Sequence, residues 1–423
     1  MCKERGEGML VFHVDANSAY LSWTAAALLE DGYDVDLRTI PSAIAGDPNN
    51  RHGIILTKSI PAKKYGIMTG ESLMEARKKC PGLIVHPPDY DLYLDCSEAM
   101  YSILYEYTPL IQRYSVDENF CDMSRCPEAV KDPVGVANEI KERIKHELGF
   151  TVNIGIGKNK LCAKMAGELK KPDMVHTLWP EEIADKLWPL PVRELFMVGR
   201  ATEKKLKKFG INTIGDLAKS GPEFLKGLLH SHGVLVHQYA NGIDDANIIV
   251  NDEVMQKGLG NGLTYAYDLQ TAEEISKELL ALCERIGTRL RRKKYAAGLV
   301  TVHLRNSGLR GYSHQMKLPG YIGTTDEIFE TAKALALEMW RGEPIRAMSV
   351  SVSEFCREDE VQLSMFDKAG REKNERLDHT IDNIRKMFGE RSIFRGTFAN
   401  SDISPIQGGV NDGNYLMMGG FKT

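Results

Sequence analysis

The sequence lacks long apolar runs, clustered cysteines and internal repeats. Its apolar runs, such as residues 25–29, are far shorter than the ~20 residues that a membrane-spanning helix needs. Eight cysteines are present, but none forms a C-x-x-C pair, which argues against a zinc site and against a disulfide framework. A short apolar run at residues 9–14 ends without a small-residue cleavage site, so no signal peptide is indicated. We therefore expect a cytoplasmic protein with reduced thiols and no membrane partner.

The chain also lacks an overall excess of positive charge. Its 54 Lys and Arg against 58 Asp and Glu give a net charge of −4, which by itself does not indicate a nucleic-acid partner. Basic residues are nevertheless concentrated in two places. Residues 193–208 carry six Lys or Arg against two Glu, and residues 291–294 are all basic. Such local patches can steer a polyanion even when the net charge is negative.

The 423 residues fit about three domains, at roughly 150 residues per domain. Strands interleaved with helices are predicted over residues 9–30 and 85–185, as in an α/β or α+β layer. Short helices separated by glycines follow from 191 to about 242. Residues 263–354 then alternate as βαββαβ, a domain of its own. Both of its helices begin with predicted capping boxes, Thr271 with Glu274 and Thr324 with Glu327.

Three carboxylates stand at predicted strand ends. Asp15 ends the first strand, whereas Asp117 and Glu118 lie in a tight turn between two later strands. Neighbouring strands are only about 5 Å apart, so the three side chains can meet, and a cation must then offset their repulsion. Mg²⁺ prefers such oxygen ligands together with phosphates. Spacing alone favours the plainer alternative, in which Asp15 ends a surface strand and the pair forms an ordinary turn.

Three segments resemble the motifs of Y-family, translesion DNA polymerases. They are FHVDANSAY at 12–20, YSVDENF at 114–120, and TVNIGIGKNK at 151–160. The last is followed by Ala163-Lys164 and Lys171-Pro172. The segments occur in the family's order and spacing, and the resemblance extends from residue 9 to about 366. Asn17 and the style of the motifs resemble the UmuC-like branch more than the DinB-like branch.

The resemblance implies a multidomain α+β fold shaped as a polymerase right hand. The palm is expected at residues 1–30 and 85–188, with the fingers at 31–84 between its two parts. A helical thumb with a helix-hairpin-helix is expected at 189–247 and a βαββαβ little finger at 254–356. Residues 357–423 would form a tail.

The resemblance also implies a reaction centre with two Mg²⁺ ions. The matching ligands are the carboxylates of Asp15, Asp117 and Glu118 and the main-chain carbonyl of Ala16. Asn17 is not acidic and is not counted as a ligand. In the two-metal mechanism one ion activates the primer 3′-hydroxyl and the other stabilises the leaving pyrophosphate.

Four residues match the family's nucleotide-binding positions. Tyr20 matches a steric gate that rejects ribonucleotides, although an aromatic on the buried face of the first helix is the simpler alternative. Thr57 and Lys63 match phosphate contacts in the fingers, where Lys63 replaces an Arg that would form a bidentate fork. Lys171 matches a palm lysine that reaches the phosphates. Its alternative role is a cation at a helix C-terminus.

The segment from Phe196 to Thr202 resembles a helix-hairpin-helix, whose backbone amides point at a DNA phosphate. Gly199, Arg200 and Lys204 are the expected DNA contacts. Met197 stands where the hairpin usually has its first glycine, which predicts a less tight turn. In the expected little finger, residues 291–294 and Arg305 are further candidates for backbone contacts.

Residues 362–366 resemble the bacterial sliding-clamp peptide Gln-Leu-x-Leu-Phe. Gln362 opens this match, and Leu363, Met365 and Phe366 would fill apolar pockets of the clamp. Residues 367–423 have no assignment from the family. Within them one apolar helix face, for a partner or for self-packing, is indicated by Leu377, Ile381, Ile384 and Phe388.

These observations predict a template-directed DNA polymerase that extends a primer with dNTPs. The resemblance implies low-fidelity translesion synthesis across damaged DNA without proofreading. One alternative is a catalytically inactive, clamp-recruited DNA-binding scaffold, although intact carboxylates argue against it. Another is a nucleotidyl cyclase on a palm-like fold, which would need neither a DNA hairpin motif nor a clamp peptide. Whether a recombinase filament or an accessory subunit is required stays open.

Overall fold

The computed structural model describes residues 9–47, 53–250, 256–360, 371–390, 392–399, 401 and 403. They form two compact units, the first made mainly of residues 9–46 and 54–250 and the second mainly of residues from 256 onwards. No helix within these described ranges has the length and apolar content needed to cross a membrane. Their cysteines, at positions 80, 96, 121, 126, 162, 283 and 356, are free thiols, as expected.

The first unit contains eight strands and eleven α-helices in its described residues. The strands are Val11–Ala16 (β1), Ser42–Ala45 (β2), Ile55–Lys58 (β3), Ile84–His86 (β4), Ile111–Arg113 (β5), Glu118–Asp122 (β6), Val152–Gly157 (β7) and Val175–Leu178 (β8). The helices are Ala19–Glu30 (α1), Ile60–Lys64 (α2), Leu73–Lys79 (α3), Tyr90–Tyr105 (α4), Pro127–Lys131 (α5), Pro133–Leu148 (α6), Lys160–Glu168 (α7), Arg200–Lys207 (α8), Ile214–Lys219 (α9), Pro222–Leu229 (α10) and Ser231–Ala240 (α11).

A five-stranded sheet with the order β5-β6-β1-β7-β8 carries the site. Its central strand β1 is buried along its whole length, although two of its six residues, His13 and Asp15, are polar. Alternate side chains of β1 point to opposite faces. Phe12 and Val14 enter the large core beneath α1, α4 and α6. His13 and Asp15 therefore face the other side, on which α7 packs.

Helix α7 lies very close to β7 because the strand has glycine at the contact. A Cβ added to Gly155 would lie 1.9 Å from the carbonyl oxygen of Ala163. Any larger residue would push α7 away from the sheet. This close approach brings the side chains of α7 to the face that carries His13 and Asp15.

A small second sheet has the order β3-β2-β4 and its own core. Strands β2 and β4 were absent from the sequence prediction, since each has only three or four residues and is defined by pairing rather than by pattern. Strand β4 pairs with β2, so this subdomain continues to His86, two residues past the predicted boundary at 84.

Helices α8 to α11 form an all-helical module, as the glycine-broken pattern predicted. They share a core with the neighbouring face of α7 that includes Leu206, Leu217, Leu225 and Val236. The Nε1 of Trp188 donates to the carbonyl of Ala240 at 3.0 Å, which joins the two ends of the module.

The second unit is the predicted βαββαβ domain. Its elements are Gly258–Leu269 (β9), Ala272–Arg292 (α12), Tyr295–Asn306 (β10), Gly311–Ile322 (β11), Thr325–Met339 (α13) and Ile345–Arg357 (β12). The antiparallel sheet has the order β11-β10-β12-β9. Both predicted capping boxes are present, at Thr271 with Glu274 and at Thr324 with Glu327.

The tail contributes a long helix, Arg371–Phe388 (α14), which packs on α12 through its charged face. Arg291 of α12 donates to Asp378 at 2.9 Å and to Asp382 at 2.7 Å. Arg385 donates to the buried Glu284 at 2.8 Å. The interpretation of Arg291 as a DNA contact is therefore wrong, because its guanidinium is buried against the tail.

The predicted apolar face of this tail helix is not the face that packs on the domain. Leu377 is 48% exposed and Phe388 is 71% exposed. Ile381 and Ile384 are only partly buried. Self-packing through these four residues was therefore the wrong interpretation, since α14 contacts α12 through ion pairs instead.

Candidate active site

Strand pairing brings the three predicted carboxylates to one end of the central sheet. Asp15 lies opposite Glu118 in the register between β1 and β6. The amide of Ala16 donates to the main-chain carbonyl of Asp117 at 3.0 Å, which closes the pairing just beyond that register pair. Asn17 turns away, and its amide Nδ2 donates to the hydroxyl of Thr151 at 3.2 Å. It remains outside the acidic group, as expected.

Each carboxylate already accepts a hydrogen bond from another group of the protein. Lys171 donates to Asp15, and Lys164 donates to Glu118. The Nε2 of His13 lies 3.1 Å from Glu118 Oε2. Asp117 accepts from the hydroxyl of Ser115 at 2.6 Å.

The described residues contain no group of three or more His, Cys, Asp or Glu side chains already gathered around one point as metal ligands. The three carboxylates are the kind of ligands that a cation site uses. In this structure each of them instead accepts from its own protein donor.

The buried environment affects the three acids differently. Burial alone would raise the pKa of Glu118, but the hydrogen bond and charge of His13 and the charge of Lys164 lower it to about 2. Burial raises the pKa of Asp15 despite the opposing charge of Lys171. Burial also raises the pKa of Asp117, with Glu118 adding to that shift and Ser115 opposing it.

These acids fit a hard divalent cation. All three donors are carboxylate oxygens, which is the ligand type that Mg²⁺ prefers. The raised pKa values of Asp15 and Asp117 mean that their charged forms are under-compensated. A divalent cation would stabilise those charged forms, so the residues present suit such an ion.

The loop that carries Lys171 is fixed by a buried asparagine. Asn153 of β7 lies beside Asp15 in the sheet register. Its Nδ2 donates to the carbonyls of Gly167 at 3.0 Å and Lys170 at 2.7 Å. These bonds hold the end of α7 so that Lys171 reaches the acidic centre. The alternative of a plain cation at a helix C-terminus does not account for its ion pair with Asp15.

Tyr20 stands next to the acids on the first turn of α1. Its ring stacks on Tyr93, with centroids 4.3 Å apart and planes 4° from parallel. Burial, with a smaller contribution from the charge of Asp117, raises the pKa of Tyr20 to about 12. Tyr20 is only partly buried.

The small three-stranded sheet presents the predicted phosphate contacts. Thr57 lies on β3, and Lys63 is exposed in the last turn of α2. Lys58, which the sequence prediction did not single out, donates to the hydroxyl of Thr69 at 3.2 Å. Burial and the nearby charge of Lys63 lower the pKa of Lys58. Two cations therefore stand close together on this face.

The predicted hairpin is present in the helical module. Gly199 is the N-cap of α8, and Gly199, Arg200 and Lys204 are all exposed. Met197 adopts φ 70°, the left-handed conformation that a glycine usually supplies. The methionine therefore keeps the backbone conformation of the turn, against the expectation of a looser one.

The prediction from sequence missed Lys164 and His13. The signal for His13 was its position two residues before Asp15 in a strand, which places both side chains on one face. Lys164 carried a weaker signal, since a lysine inside a helix is usually solvated. The predicted clamp-binding residues Gln362, Leu363, Met365 and Phe366 lie outside the described residues.

Comparison with known proteins covers most of the chain. Residues 14–168 match the impB/mucB/samB family, residues 180–211 match the helix-hairpin-helix motif of the IMS family, and residues 256–365 match the C-terminal domain of the impB/mucB/samB family. DNA polymerase IV of Clostridium acetobutylicum is 48% identical over 394 residues, which cover 93% of this chain and 99% of that protein.

Further relatives and a solved structure agree with these matches. DNA polymerase IV of Acetivibrio thermocellus is 36% identical, covering 92% of this chain and 96% of the relative. DNA polymerase IV 1 of Bacillus subtilis is 33% identical, covering 95% and 96% respectively. A solved Y-family DNA polymerase chimera shares the fold, with a TM-score of 0.70 and 20% identity over 82% of this chain and 100% of that one.

Proposed function

The chain belongs to the impB/mucB/samB family of Y-family DNA polymerases and is a translesion DNA polymerase, and we propose that Asp15, Asp117 and Glu118 form its reaction centre. The observation that carries this proposal is the register pair of Asp15 with Glu118, which Asp117 immediately precedes in the chain. Primer-template DNA and dNTPs are the substrates that this activity requires. The expected UmuC-like branch is not supported, because the relatives are named DNA polymerase IV, which belongs to the DinB-like group.

The reaction depends on a divalent metal, and we propose two Mg²⁺ ions at this site. Asp15, Asp117, Glu118 and the carbonyl of Ala16 would hold them. The ions supply activation of the primer 3′-hydroxyl and charge stabilisation at the phosphates. The protein contributes position, since β1 and β6 hold the donors at one end of a buried sheet.

The residues around the acids would bind the nucleotide. Tyr20 presents its ring beside Asp117, where a 2′-hydroxyl on the incoming sugar would clash with it. Lys171 is 34% exposed and already reaches Asp15, so it can turn toward an incoming phosphate. Thr57 and Lys63, with Lys58 beside them, would hold the triphosphate through a hydroxyl and two ammonium groups.

We assign the palm to residues 1–30 and 85–188, the fingers to 31–84, with strand β4 of their sheet extending to His86, and the thumb to 189–247. The little finger is residues 254–356 and the tail is residues 357–423. Gly199, Arg200 and Lys204 would contact the DNA backbone from the thumb. Such contacts are independent of sequence and weaken with salt.

Recruitment by a sliding clamp is proposed from the sequence of residues 362–366 alone. Tethering would raise the local concentration of the enzyme at the primer end without a tighter grip at the active site. The scaffold alternative is not favoured, because the relatives of this chain are named DNA polymerase IV and its own carboxylates are intact. A nucleotidyl cyclase is not favoured for the same reason.

Primer extension tests the proposed centre. Wild-type enzyme and Asp117→Ala would be compared on an undamaged primer-template with Mg²⁺ and each dNTP. We expect template-dependent addition by the wild type alone. Asp122→Ala is a matched control, because Asp122 ends strand β6, which begins directly after Asp117, and it accepts from the amide of Ser124. Full activity of Asp117→Ala would refute the assignment.

A further inference from the structure

We propose that Lys164 is a built-in counter-cation of Glu118 that competes with the metal ion for this carboxylate. In the metal-free enzyme the lysine would keep the acidic centre from repelling itself apart. Metal binding would then require Glu118 to exchange one cation for another. This inference rests on the proposed metal site, and it assigns a positioning role to a residue that contacts neither DNA nor nucleotide in the reaction outlined above.

The first support is the fixed position of Lys164. Helix α7 approaches β7 so closely that a Cβ on Gly157 would lie 2.7 Å from the amide nitrogen of Ala163, the residue before Lys164. The lysine side chain is 11% exposed and its partner Glu118 is 15% exposed. Water therefore screens this pair weakly, and the two charges interact strongly.

The second support is a pair of aromatic rings beside the Lys164 ammonium group. Its Nζ lies 5.1 Å from the ring centroid of Tyr114 and 5.5 Å from that of Phe196. These are distances at which a cation is attracted by a ring face. Phe196 in turn stacks on Tyr239, with centroids 6.2 Å apart. The two rings can thus continue to stabilise the Lys164 ammonium group after its ion pair with Glu118 has broken.

The third support is the contrast with the other lysine of the centre. Lys171 is 34% exposed and shares its charge between Asp15 and Glu168. It is placed to move toward a phosphate. Lys164 has one carboxylate partner, which also accepts from His13 on the same oxygen, Oε2. Its position therefore suits a stationary counter-charge rather than a substrate contact.

The test measures the affinity of the full chain for Mn²⁺ without DNA or nucleotide. The electron paramagnetic resonance signal of the free ion reports how much Mn²⁺ is unbound. We expect Lys164→Met to bind Mn²⁺ roughly tenfold more tightly than wild type or better, because a unit charge a few ångströms from the ion is removed. A merely structural lysine would weaken binding when lost. Lys164→Arg, which keeps the charge, should bind like wild type.

Lys158→Met is the matched control. Lys158 lies six residues earlier, is exposed, and sits 5.4 Å from the ring of Trp179 rather than on a carboxylate. Its loss removes the same charge and should leave Mn²⁺ affinity unchanged. Lys164→Gln replaces the methionine variant if that variant fails to fold, as judged by circular dichroism.

Glu118→Gln separates the two proposals. If Glu118→Gln binds Mn²⁺ as tightly as wild type, the proposed metal site itself is wrong. If Glu118→Gln binds weakly but Lys164→Met or Lys164→Gln is no tighter than wild type, the metal site stands and the counter-cation proposal is overturned. Tighter binding by the Lys164 variants together with weak binding by Glu118→Gln supports both.

Discussion

At the scale of single residues, the acidic centre is defined by which groups offset three buried charges. The sequence supplies Asp15, Asp117 and Glu118, and the fold adds donors from β1 and α7. Glu118 receives both a lysine and a histidine, so it stays ionised over the whole working range of pH. Its loss should therefore slow the chemical step, and it should also lower stability because Lys164 and His13 lose their buried partner.

Replacing Glu118 with Ala should lower the rate of nucleotide addition by a factor of 100 or more, since roughly 3 kcal/mol or more of transition-state stabilisation is lost. Single-turnover primer extension at saturating dNTP measures this. Asp122→Ala again serves as the control on β6. A near-normal rate for Glu118→Ala would contradict the metal assignment.

The partly buried Tyr20 ring, on which the charge of Asp117 acts, predicts how the enzyme selects its sugar. Shrinking Tyr20 to Ala should remove the clash with a 2′-hydroxyl and admit ribonucleotides, which is measured as the ratio of kcat/KM for dNTP and rNTP. Tyr20→Phe keeps the ring and should keep the discrimination. Tyr90→Ala, whose ring meets Tyr20 edge-on at 6.3 Å, is a second control. Unchanged discrimination in Tyr20→Ala would remove the gate role.

At the scale of elements, helix α12 carries charged residues on two sides. Its outer side meets the tail helix through Arg291 and Glu284, and its inner side buries Glu278. The ion pairs of α12 stabilise the second unit, whereas burial disfavours the ionised form of Glu278. Substitutions at the two sides therefore test different contributions to stability.

Breaking the tail contact should destabilise the second unit. Arg291→Ala leaves Asp382 without its cation and leaves the buried Asp378 with the more distant cation of Arg395, at 3.9 Å. Loss of one partner of such a buried pair costs about 3–5 kcal/mol. Urea unfolding of the full chain measures this as an earlier transition of the unit. Arg376→Ala on the outer face of α14 should change little, since its pair with Glu372 is exposed. Equal destabilisation by Arg291→Ala and Arg376→Ala would refute the stabilising role of the buried Arg291 ion pairs.

Glu278 predicts a dependence of stability on pH. Burial raises the pKa of this carboxyl to about 7. Between its ordinary value of 4.5 and about 7 the folded chain therefore holds a proton that the unfolded chain has released. Folding stability falls as pH rises through this window, by up to about 3 kcal/mol. Urea unfolding at pH 5 and pH 8 should show that fall in wild type and a smaller one in Glu278→Gln. An unchanged pH dependence in that variant would assign it to other groups.

At the scale of the whole molecule, the clamp peptide and the tail helix must be tested separately. Cutting the chain after Asp359 would remove residues 362–366, but it would also strip Arg291 and Glu284 of the partners supplied by α14. A loss of activity in that truncated chain would therefore have two explanations. Substitutions within the peptide avoid this ambiguity.

Replacing Leu363 and Phe366 together with Ala should leave distributive synthesis on a short primer unchanged and abolish stimulation by the sliding clamp. Product lengths with and without the clamp measure the difference. A double substitution of exposed tail residues, Leu377 and Phe388 to Ala, is the control for lost apolar surface. Stimulation that survives in the peptide variant would show that the clamp binds elsewhere.

Much of the organisation follows from local sequence. The buried strand β1, the capped helices α12 and α13 and the βαββαβ order all have signals within a few residues, because periodicity and caps act over one or two turns. The short strands β2 and β4 have no such signal, since three or four residues become a strand only through their partners. The sequence also indicated the acids and Tyr20, but only as members of a family's motifs.

By itself the sequence determined which residues are acidic, where helices begin and which faces of strands are apolar. Tertiary structure alone decided that Lys164 reaches Glu118 across 46 residues, that Lys171 reaches Asp15 across 156, and that Arg291 reaches Asp382 across 91. It also turned the charged rather than the apolar face of α14 toward the domain. The reason is physical: pairing of buried charges depends on distance and desolvation in three dimensions, neither of which has a local pattern along the chain.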